Sequence, residues 1–231
     1  MISILIPIYN GIEFLEQSLL SVINQTYKDW ELIIGINGHP PNSSIEKKAI
    51  EINNIYNSNS LFNIRVIYYD TTGKPATLNK MVNDSKGEYI AILDVDDYWL
   101  PEKLENQIPY LNNYDVIGTQ CQYFGESNNI PNIPLGDISN FDFFLVNPII
   151  NSSALIRKNL ANWDENDIFY FEDYDLWFKL YSLHKKFFNI NKILCMHRIH
   201  KNSFFNNNEN IQNKIYLFKE KWFNIIHLNS K

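Results

Sequence analysis

The chain has 231 residues, 45% of them hydrophobic and 15% aromatic, and a formal net charge of -6 at pH 7. This composition excludes wholesale disorder, the length suits one α/β domain, and the negative charge argues against nucleic acid as the main partner. The two cysteines, Cys121 and Cys195, have neither metal-ligand spacing nor a disulfide framework, which favours a reducing cytoplasm.

The sequence shows no feature of export or membrane insertion. The first residues enter a strand-like run directly, without a basic n-region, and no apolar run is as long as a membrane span. We therefore expect a cytoplasmic protein, whose contact with a membrane would be at most peripheral, through the aromatic and basic C-terminal residues.

The first third of the chain alternates strand and helix patterns. Short apolar runs predict strands, and apolar residues at helical spacing predict the helices between them. The predicted elements are, in chain order, a strand at 2–8, a helix at 13–25, a strand at 30–36, a helix from about 43 to 56, a strand at 63–69 and a helix at 75–84. Three rounds of this alternation predict a mostly parallel sheet with right-handed crossovers and helices on its faces.

The next apolar run, 88–93, is typical of a strand buried on both faces, and the carboxylates Asp94, Asp96 and Asp97 follow it. Ligands of open α/β sheets bind beyond such strand ends, and a cluster of like charges needs a cation or backbone N–H groups. If the backbone stays extended, Asp94 and Asp96 point to one side and offer two oxygen ligands to Mg²⁺ or Mn²⁺. The alternative is an acidic surface turn that caps a helix beginning near Pro101.

Phosphate-binding glycine motifs are missing from the sequence. Neither Gly-x-Gly-x-x-Gly after the first strand nor a Walker-type Gly-Lys-Ser/Thr occurs. A phosphate ligand could not rely on a glycine-rich cradle, so a metal at the carboxylate cluster would have to neutralise its charge.

The rest of the chain predicts a helix to about 112, strands at 116–124, 152–156 and 187–195, a long loop at 125–140, a helix from Asp173 and a final aromatic helix at 211–228. We expect one domain at 1–205, with halves at 1–112 and 113–205. Residues 206–231 would pack on that domain, extend it or mediate a homodimer. Glu172 and Asp173 lie at a predicted helix start, where the helix dipole alone favours each acid by about 0.3–1 kcal/mol.

Several stretches share the order and spacing of one enzyme family. They are Pro7-Ile8-Tyr9-Asn10, Gln25-Thr26-Tyr27, Gly73-Lys74-Pro75-Ala76-Thr77-Leu78-Asn79, Gly87-Glu88-Tyr89-Ile90 with Leu93-Asp94-Val95-Asp96-Asp97, Glu172-Asp173 with Leu176-Trp177, and Arg198-Ile199-His200 with Ser203. Together they resemble the family 2 inverting glycosyltransferases, which have the GT-A fold. The resemblance covers about residues 2 to 203.

The resemblance implies an enzyme that moves a sugar from a nucleotide diphosphate, UDP being favoured, to a hydroxyl of a glycan or glycolipid, with inversion and with Mn²⁺ or Mg²⁺. It makes Asp96 a metal ligand, places Asp94 at the ribose or the metal's waters, and makes Asp173 the general base. His200 is a third metal ligand, a diphosphate contact or an ordinary loop histidine. These roles match what sugar transfer requires, because the leaving diphosphate needs a cation and the attacking hydroxyl needs a carboxylate on the opposite face of the sugar.

Other candidates surround this core. Residues assigned to the nucleotide sugar besides the aspartates are Pro7, Tyr9, Asn37, Lys74 and Val95. Lys74 either meets the diphosphate or is solvated, and Arg198 pairs either with phosphate or with Glu172. On the acceptor side we expect Glu172, with Trp99 and Trp177 as sugar-stacking rings, although a tryptophan more often belongs to a core.

The sequence departs from the family pattern after the second strand. Where the family carries an Asp pair that reads uracil, this chain has Ile36-Asn37-Gly38-His39, so base recognition falls to Asn37 or to a backbone group. Leu78 also stands where an arginine is common. A non-catalytic protein that binds sugar nucleotides therefore remains an alternative, as do a glycoside hydrolase, which also uses two carboxylates, and a nucleotidyltransferase, which would want more glycines after strand one.

Overall fold

A computed structural model describes residues 1–58, 60–166, 168–201 and 211–228. Its strands are β1 (Ile2–Ile8), β2 (Trp30–Asn37), β3 (Ile64–Tyr69), β4 (Tyr89–Ile92), β5 (Tyr98–Trp99), β6 (Val116–Gly125), β7 (Gly136–Asp137), β8 (Leu155–Arg157) and β9 (Phe187–Ile199). Its helices are α1 (Leu15–Ile23), α2 (Ser44–Tyr56), α3 (Lys74–Asp84), α4 (Lys103–Gln107), α5 (Glu172–Ser182) and α6 (Ile211–Leu228).

All the described strands belong to one sheet, in the order β3-β2-β1-β4-β8-β6-β9-β5, with β7 also paired to β9. The pairs among β3, β2, β1 and β4 are parallel, and so is the pair β6–β9. Strand β8 joins these two parallel groups by antiparallel pairing with β4 and β6. The predicted α/β class with a mostly parallel sheet is therefore confirmed.

Alternate residues of the central strands supply two cores, one on each face of the sheet. Every residue of β1 and β2 is buried, as expected for strands covered on both sides. On one face Ile4 and Ile6 pack with α1 and α2, and on the other face Leu5 and Ile33 pack with α3 and α5. The period of two along each strand thus fixes which helices cover which face.

Local chemistry also sets the helix starts. The hydroxyl of Ser43 accepts a hydrogen bond from the backbone N–H of Glu46 over 3.3 Å and caps α2, as its position in the sequence predicts. Pro75 lies in the first turn of α3, where its missing N–H costs no helix bond.

Several predicted boundaries differ from the structure, among them the helix predicted to about 112, which ends at Gln107 and continues as a 3-10 turn. The first helix is shorter than 13–25, because a 3-10 turn at Ile12–Phe14 precedes α1. The strand predicted at 152–156 begins later, because Asn151–Ser153 forms a 3-10 turn. The long loop at 125–140 contains β7, and β9 continues to Ile199 because its last residues pair with β6.

The C-terminal helix α6 packs on α5. Phe218 and Trp222 are buried in the core, and both Lys221 Nζ and Trp222 Nε1 donate hydrogen bonds to Asp175 Oδ1, at 2.8 and 2.9 Å. Tyr216 and Phe223 of the same helix are exposed. Over the described residues, no helix combines the length and apolarity that crossing a bilayer would need.

Candidate functional site

A cavity of about 400 Å³ lies where β1 and β2 end, at the edge at which open α/β sheets bind their ligands. Its lining residues are Pro7, Tyr9, Asn37, Gly38, Thr72, Gly73 and Lys74. Four residues that the sequence assigned to the nucleotide sugar therefore meet around one cavity. Val95 does not line this cavity and its side chain is buried in the core, so its assignment to the nucleotide sugar stays a prediction.

Tyr9 forms one wall of this cavity. Its ring stacks on that of His39, with centroids 5.2 Å apart, and remains more than half exposed. A Cβ on Gly38 would lie 2.6 Å from the Tyr9 ring, and the φ of Gly38 is +70°, so both contact and backbone require glycine there. The sequence marked Gly38 and His39 only as turn residues and missed this role.

Asn37 is only 3% exposed, and its carboxamide has no hydrogen-bond partner among the described residues. It is the last residue of β2, paired in register with Tyr69 of β3. A nearly buried amide that lines a cavity is available to a ligand with complementary donors and acceptors.

The carboxylates after β4 form a turn rather than an extended strand. The backbone N–H of Asp97 donates to the carbonyl oxygen of Asp94 over 3.0 Å, so strand alternation does not place Asp94 and Asp96 on one side, contrary to the expectation for an extended backbone. Asp94 is held by Lys74 Nζ at 2.6 Å and by Asn151 Nδ2 at 3.0 Å. Burial raises the pKa of Asp94, but the Lys74 ammonium outweighs it and holds this pKa below its usual value.

Asp96 is in a different electrostatic position. Its Oδ2 lies 3.1 Å from His200 Nε2. Burial raises the pKa of the Asp96 carboxyl above its usual value, and the neighbouring charges of Asp97 and Asp94 raise it further. Negative charge at this position is therefore incompletely compensated by the protein.

Asp97 connects the turn to the end of β9. It is fully buried and accepts hydrogen bonds from His197 Nδ1 at 2.9 Å and from the backbone N–H of Arg198 at 2.8 Å. The guanidinium of Arg198 lies between the rings of Phe14 and Phe124, and its Nε donates to the carbonyl of Asp96. Arg198 is therefore not the partner of Glu172, which was one of its two expected roles.

Asp173 lies in the first turn of α5. Its Oδ2 accepts a hydrogen bond from Asn147 Nδ2 at 3.0 Å, and its Oδ1 accepts one from the backbone N–H of Tyr174 at 2.7 Å. Burial and the charge of Glu172 raise the pKa of Asp173 to about 6, against the opposing effects of Lys74 and of the two hydrogen bonds. A carboxylate with such a pKa can take up a proton near neutral pH.

Lys74 forms ion pairs with two carboxylates of the site, one in the turn after β4 and one at the start of α5. Its Nζ contacts Asp94 Oδ1 at 2.6 Å and Glu172 Oε1 at 2.9 Å. Burial lowers the pKa of Lys74, but the two carboxylates outweigh burial and raise it well above its usual value. Lys74 is therefore ion-paired in this structure rather than solvated.

The donor set around Asp96 fits a divalent cation. Over the described ranges, no three His, Cys, Asp or Glu side chains are already arranged as a metal-binding group. Asp96, His200 and Asp94 nevertheless offer oxygen and imidazole ligands of the kind that Mn²⁺ accepts, and a cation would relieve the repulsion that raises the pKa of Asp96. A metal held by two or three protein groups would take its other ligands from phosphate and water.

Of the residues that the sequence assigned to the site or to its motifs, two are buried away from it and one lies outside the described residues. Trp99 is 2% exposed and donates its Nε1 to the carbonyl of Ser152, and Trp177 is fully buried in the core, so neither ring can stack on a sugar as proposed. Trp99 lies on the buried face of β5 and Trp177 on the buried face of α5, so both are core residues. Ser203 lies outside the described residues.

Sequence reasoning missed Asn147, Asn151 and Ser152. Asn147 contacts the carboxylate of Asp173, Asn151 contacts that of Asp94, and Ser152 Oγ accepts a hydrogen bond from the backbone N–H of Asp94 at 3.1 Å. They belong to an irregular connection without periodicity, in which the short polar run Asn151-Ser152-Ser153 is the one sequence signal. A larger cavity, of about 700 Å³, is lined around Arg157 and Lys158 and includes none of these carboxylates.

Comparison with known proteins places these features in context. The family model described as "Glycosyl transferase family 2" matches residues 3–205. The chain is 31% identical over 212 residues to an uncharacterized glycosyltransferase of Methanocaldococcus jannaschii, covering 86% of this chain and 71% of that relative. It is 30% identical over 219 residues to an uncharacterized glycosyltransferase of Rickettsia prowazekii, covering 87% of this chain and 64% of that relative, so the chain spans about two thirds of these relatives.

Solved structures show the same fold at low identity. Residues 1–349 of Staphylococcus aureus TarS in complex with UDP-GlcNAc superpose with a TM-score of 0.71 at 15% identity, over 95% of this chain and 66% of that TarS chain. The mannosyltransferase PcManGT of Pyrobaculum calidifontis, in complex with GDP-Man and Mn²⁺, superposes with a TM-score of 0.67 at 14% identity, over 88% of this chain and 58% of that protein. The predicted GT-A fold is thereby confirmed.

Proposed function

The chain belongs to glycosyl transferase family 2 and is a glycosyltransferase, and from this premise we propose that it transfers a sugar from a nucleotide diphosphate, UDP being favoured, to a hydroxyl of a glycan or glycolipid. We propose further that the transfer inverts the anomeric centre and depends on Mn²⁺ or Mg²⁺. Nucleotide-sugar complexes of TarS and PcManGT, and the Mn²⁺ of PcManGT, support the donor class and the metal.

One observation carries the proposal. Lys74 closes the cavity between β1 and β2 and contacts both Asp94 and Glu172, so the nucleotide side and the helix that bears Asp173 meet at one ammonium group. A donor whose base lies in the cavity would direct its diphosphate toward Lys74 and the carboxylate turn. The anomeric carbon would then lie between the turn and Asp173.

On the donor side, the chain's residues bind and orient. The ring of Tyr9 and the amide of Asn37 offer the base a face and an edge. Asp96, His200 and Asp94 would hold the divalent ion, which supplies charge neutralisation for the departing diphosphate. Lys74 adds a second positive charge at the same place, because an ammonium is a strong partner for phosphate oxygens.

On the acceptor side, Asp173 is the general base. With a pKa of about 6 it is ionised at neutral pH, yet basic enough to take the proton of an attacking hydroxyl as the bond to the anomeric carbon forms. Its hydrogen bonds to Asn147 and to the N–H of Tyr174 fix the carboxylate plane. Backside attack on a carbon whose leaving group lies on the turn side inverts its configuration.

The experiment is a thermal-shift screen of UDP, GDP, dTDP and CMP sugars with and without Mn²⁺, on wild type and Asp96→Ala. We expect one nucleotide class to stabilise the wild type in the presence of metal, by about 2.7 kcal/mol at a hundred times the dissociation constant, and not to stabilise Asp96→Ala. Proton NMR of the anomeric signal in the product then tests inversion. Stabilisation that is equal without metal, or product with retained configuration, would refute the corresponding part of the proposal.

A further inference from the structure

The connection between β7 and β8 carries two asparagines whose side chains reach opposite sides of the site. Asn147 donates its Nδ2 to Asp173 and Asn151 donates its Nδ2 to Asp94, each over 3.0 Å. Within the described part of the chain, each carboxamide makes no other hydrogen bond. The Oδ1 atom of each is buried without a partner.

A buried amide oxygen without a hydrogen bond opposes folding, by about 1–3 kcal/mol. An asparagine that served packing alone would do better as an apolar residue, and such exceptions therefore need an explanation in function. For Asn147 and Asn151 the one bond that remains is the bond to a functional carboxylate. That bond is what the two residues contribute.

The segment that bears both asparagines is anchored on several elements. Asn189 of β9 donates to the carbonyl of Pro148 at 2.7 Å, Trp99 of β5 donates to the carbonyl of Ser152 at 2.6 Å, and Gln107 of α4 donates to the carbonyl of Ser153 at 2.9 Å. Hydrogen bonds from three separate elements to backbone carbonyls between residues 148 and 153 hold the segment in one position. Two side chains on such an anchored segment can set the orientation of two carboxylates relative to each other.

We propose that Asn147 and Asn151 are positioning residues that together orient the base Asp173 against the donor-side Asp94. The inference rests on the proposed function, in which these carboxylates act on the acceptor and on the donor. Asn147 fixes the base, and Asn151 fixes the carboxylate that faces the nucleotide. Because both lie on one rigid segment, the geometry between attacking hydroxyl and leaving diphosphate is set by the protein before substrate arrives.

The Asn147 bond has an electrostatic consequence that a packing role would not have. The groups facing Asp173 are Glu172 on α5, Lys74 on α3, the N–H of Tyr174 and the Asn147 amide. The amide stabilises the ionised carboxylate and lowers its pKa, against burial and Glu172. Removing it moves the ionisation of Asp173 to higher pH.

The test compares Asn147→Ala and Asn151→Ala with Asn53→Ala. Asn53 lies in α2 and also has a buried, unpaired Oδ1, but it contacts no carboxylate of the site, which makes it a matched control. The assay is release of UDP from a UDP-sugar with Mn²⁺, with water as acceptor, measured from pH 5 to pH 9. No acceptor glycan is needed.

We expect Asn147→Ala to lower kcat about 10- to 100-fold, to move the acidic limb of the pH profile upward and to leave the KM for the donor within about twofold. We expect Asn151→Ala to raise the donor KM about tenfold without moving that limb. Asn53→Ala should match the wild type, and Asn147→Ser, which can still donate a hydrogen bond, should recover part of the lost kcat.

Two results overturn the inference. One is an Asn147→Ala enzyme with the wild-type kcat and pH limb. The other is a fall in kcat and a rise in KM of similar size in both variants, in proportion to the decrease in their melting temperatures. Residues with a purely structural role behave in that way.

A failure of the proposed function is recognised separately. If the wild type releases no nucleotide from any sugar donor, that function fails, and the positioning claim is decided by the ¹³C NMR titration of the Asp173 carboxyl, which needs no substrate. The midpoint should lie higher in Asn147→Ala than in wild type, and equal midpoints reject the claim.

Discussion

The two sides of the site, which the proposed function assigns to the donor and to the acceptor, are built in different ways. On the donor side, the residues that line the cavity follow directly from the ends of two neighbouring parallel strands, β1 and β2, whose register places Pro7 and Asn37 at one edge. On the acceptor side, Asp173 begins a helix, and its hydrogen-bond partner Asn147 comes from an irregular connection 26 residues earlier. Backbone pairing positions the first group, whereas side-chain hydrogen bonds between distant segments position the second.

The electrostatics differ in the same way. On the donor side, Lys74 compensates Asp94 and keeps its pKa low. On the acceptor side, burial and Glu172 raise the pKa of Asp173 to about 6. In the proposed function, the Lys74–Asp94 pair thus holds charge, whereas Asp173 exchanges a proton. The expected effects of substitutions test this division.

Asp173→Asn should have the largest effect. We expect kcat to fall by about 10²–10⁴, because the amide cannot accept the proton of the attacking hydroxyl, while nucleotide binding measured by thermal shift stays at the wild-type level. In the wild type the rate should fall about tenfold per pH unit below pH 6, since only the ionised base is active. A variant that loses nucleotide binding and turnover together would contradict the separation of the two sides.

Asp173→Asn, which should lower kcat, should at the same time stabilise the folded chain. The pKa of Asp173 in the folded chain, about 6, lies above its unfolded value near 3.8, so the folded state loses stability as pH rises between these values. Asn does not ionise. Asp173→Asn should therefore be more stable than wild type by about 1–2 kcal/mol at pH 8, and the difference should vanish near pH 4. Urea unfolding at both pH values measures it.

Lys74→Met should affect both sides at once. It leaves Asp94 and Glu172 without their shared cation, and we expect nucleotide binding to weaken about 10- to 100-fold. Because Lys74 lowers the pKa of Asp173, its loss should also move the acidic limb of kcat to higher pH. Lys80→Met is the control, as Lys80 lies on the same helix and donates to the backbone carbonyl of Asp70 rather than to a carboxylate of the site. An unmoved limb would show that Lys74 acts on the donor side alone.

The contrast between the two sides also explains what the sequence could predict. The strands around the donor cavity have strong apolar runs and turn residues at their ends, so the order of elements and the cavity residues Pro7, Tyr9, Asn37 and Lys74 followed from pattern and resemblance. The roles of Asn147 and Asn151 did not follow, because they depend on contacts with residues 26 and 57 positions away. Trp99 and Trp177 were misplaced because a sequence motif does not say which face of an element is buried.

Lys103 tests how the connection that bears Asn147 is stabilised by the residues packed against it. It is fully buried, forms no ion pair with a carboxylate of the described residues, and donates to Gln107, which in turn donates to the carbonyl of Ser153. Burial lowers the pKa of Lys103 to about 7. Since the unfolded value is 10.5, protonation favours the unfolded chain, and stability rises with pH between about 7 and 10.5.

Lys103→Met should remove this slope and raise the free energy of unfolding by about 1–3 kcal/mol at pH 7, after the loss of the bond to Gln107 is subtracted. Urea unfolding at pH 7 and pH 9.5 measures both quantities. Catalysis should keep its pH profile, because the variant retains the bond from Gln107 to Ser153. A variant that is less stable at pH 7 would show that the lysine supports the connection more than its burial costs.

Asn37→Asp should have the smallest effect, and it concerns only which base the donor cavity accepts. A carboxamide offers one donor and one acceptor, so by turning over it can pair with the N3–H and O4 of uracil or with the N3 and N4–H of cytosine. A carboxylate offers acceptors alone, so it can still accept from the N3–H of uracil although it loses the bond to O4, whereas at cytosine it meets the ring lone pair at N3. The added charge repels every diphosphate alike, so the ratio of the affinities for UDP and CDP isolates the base contact. We expect that ratio to rise about tenfold, or 1.4 kcal/mol, in titrations of both variants. An unchanged ratio would mean that a backbone group, rather than Asn37, reads the base.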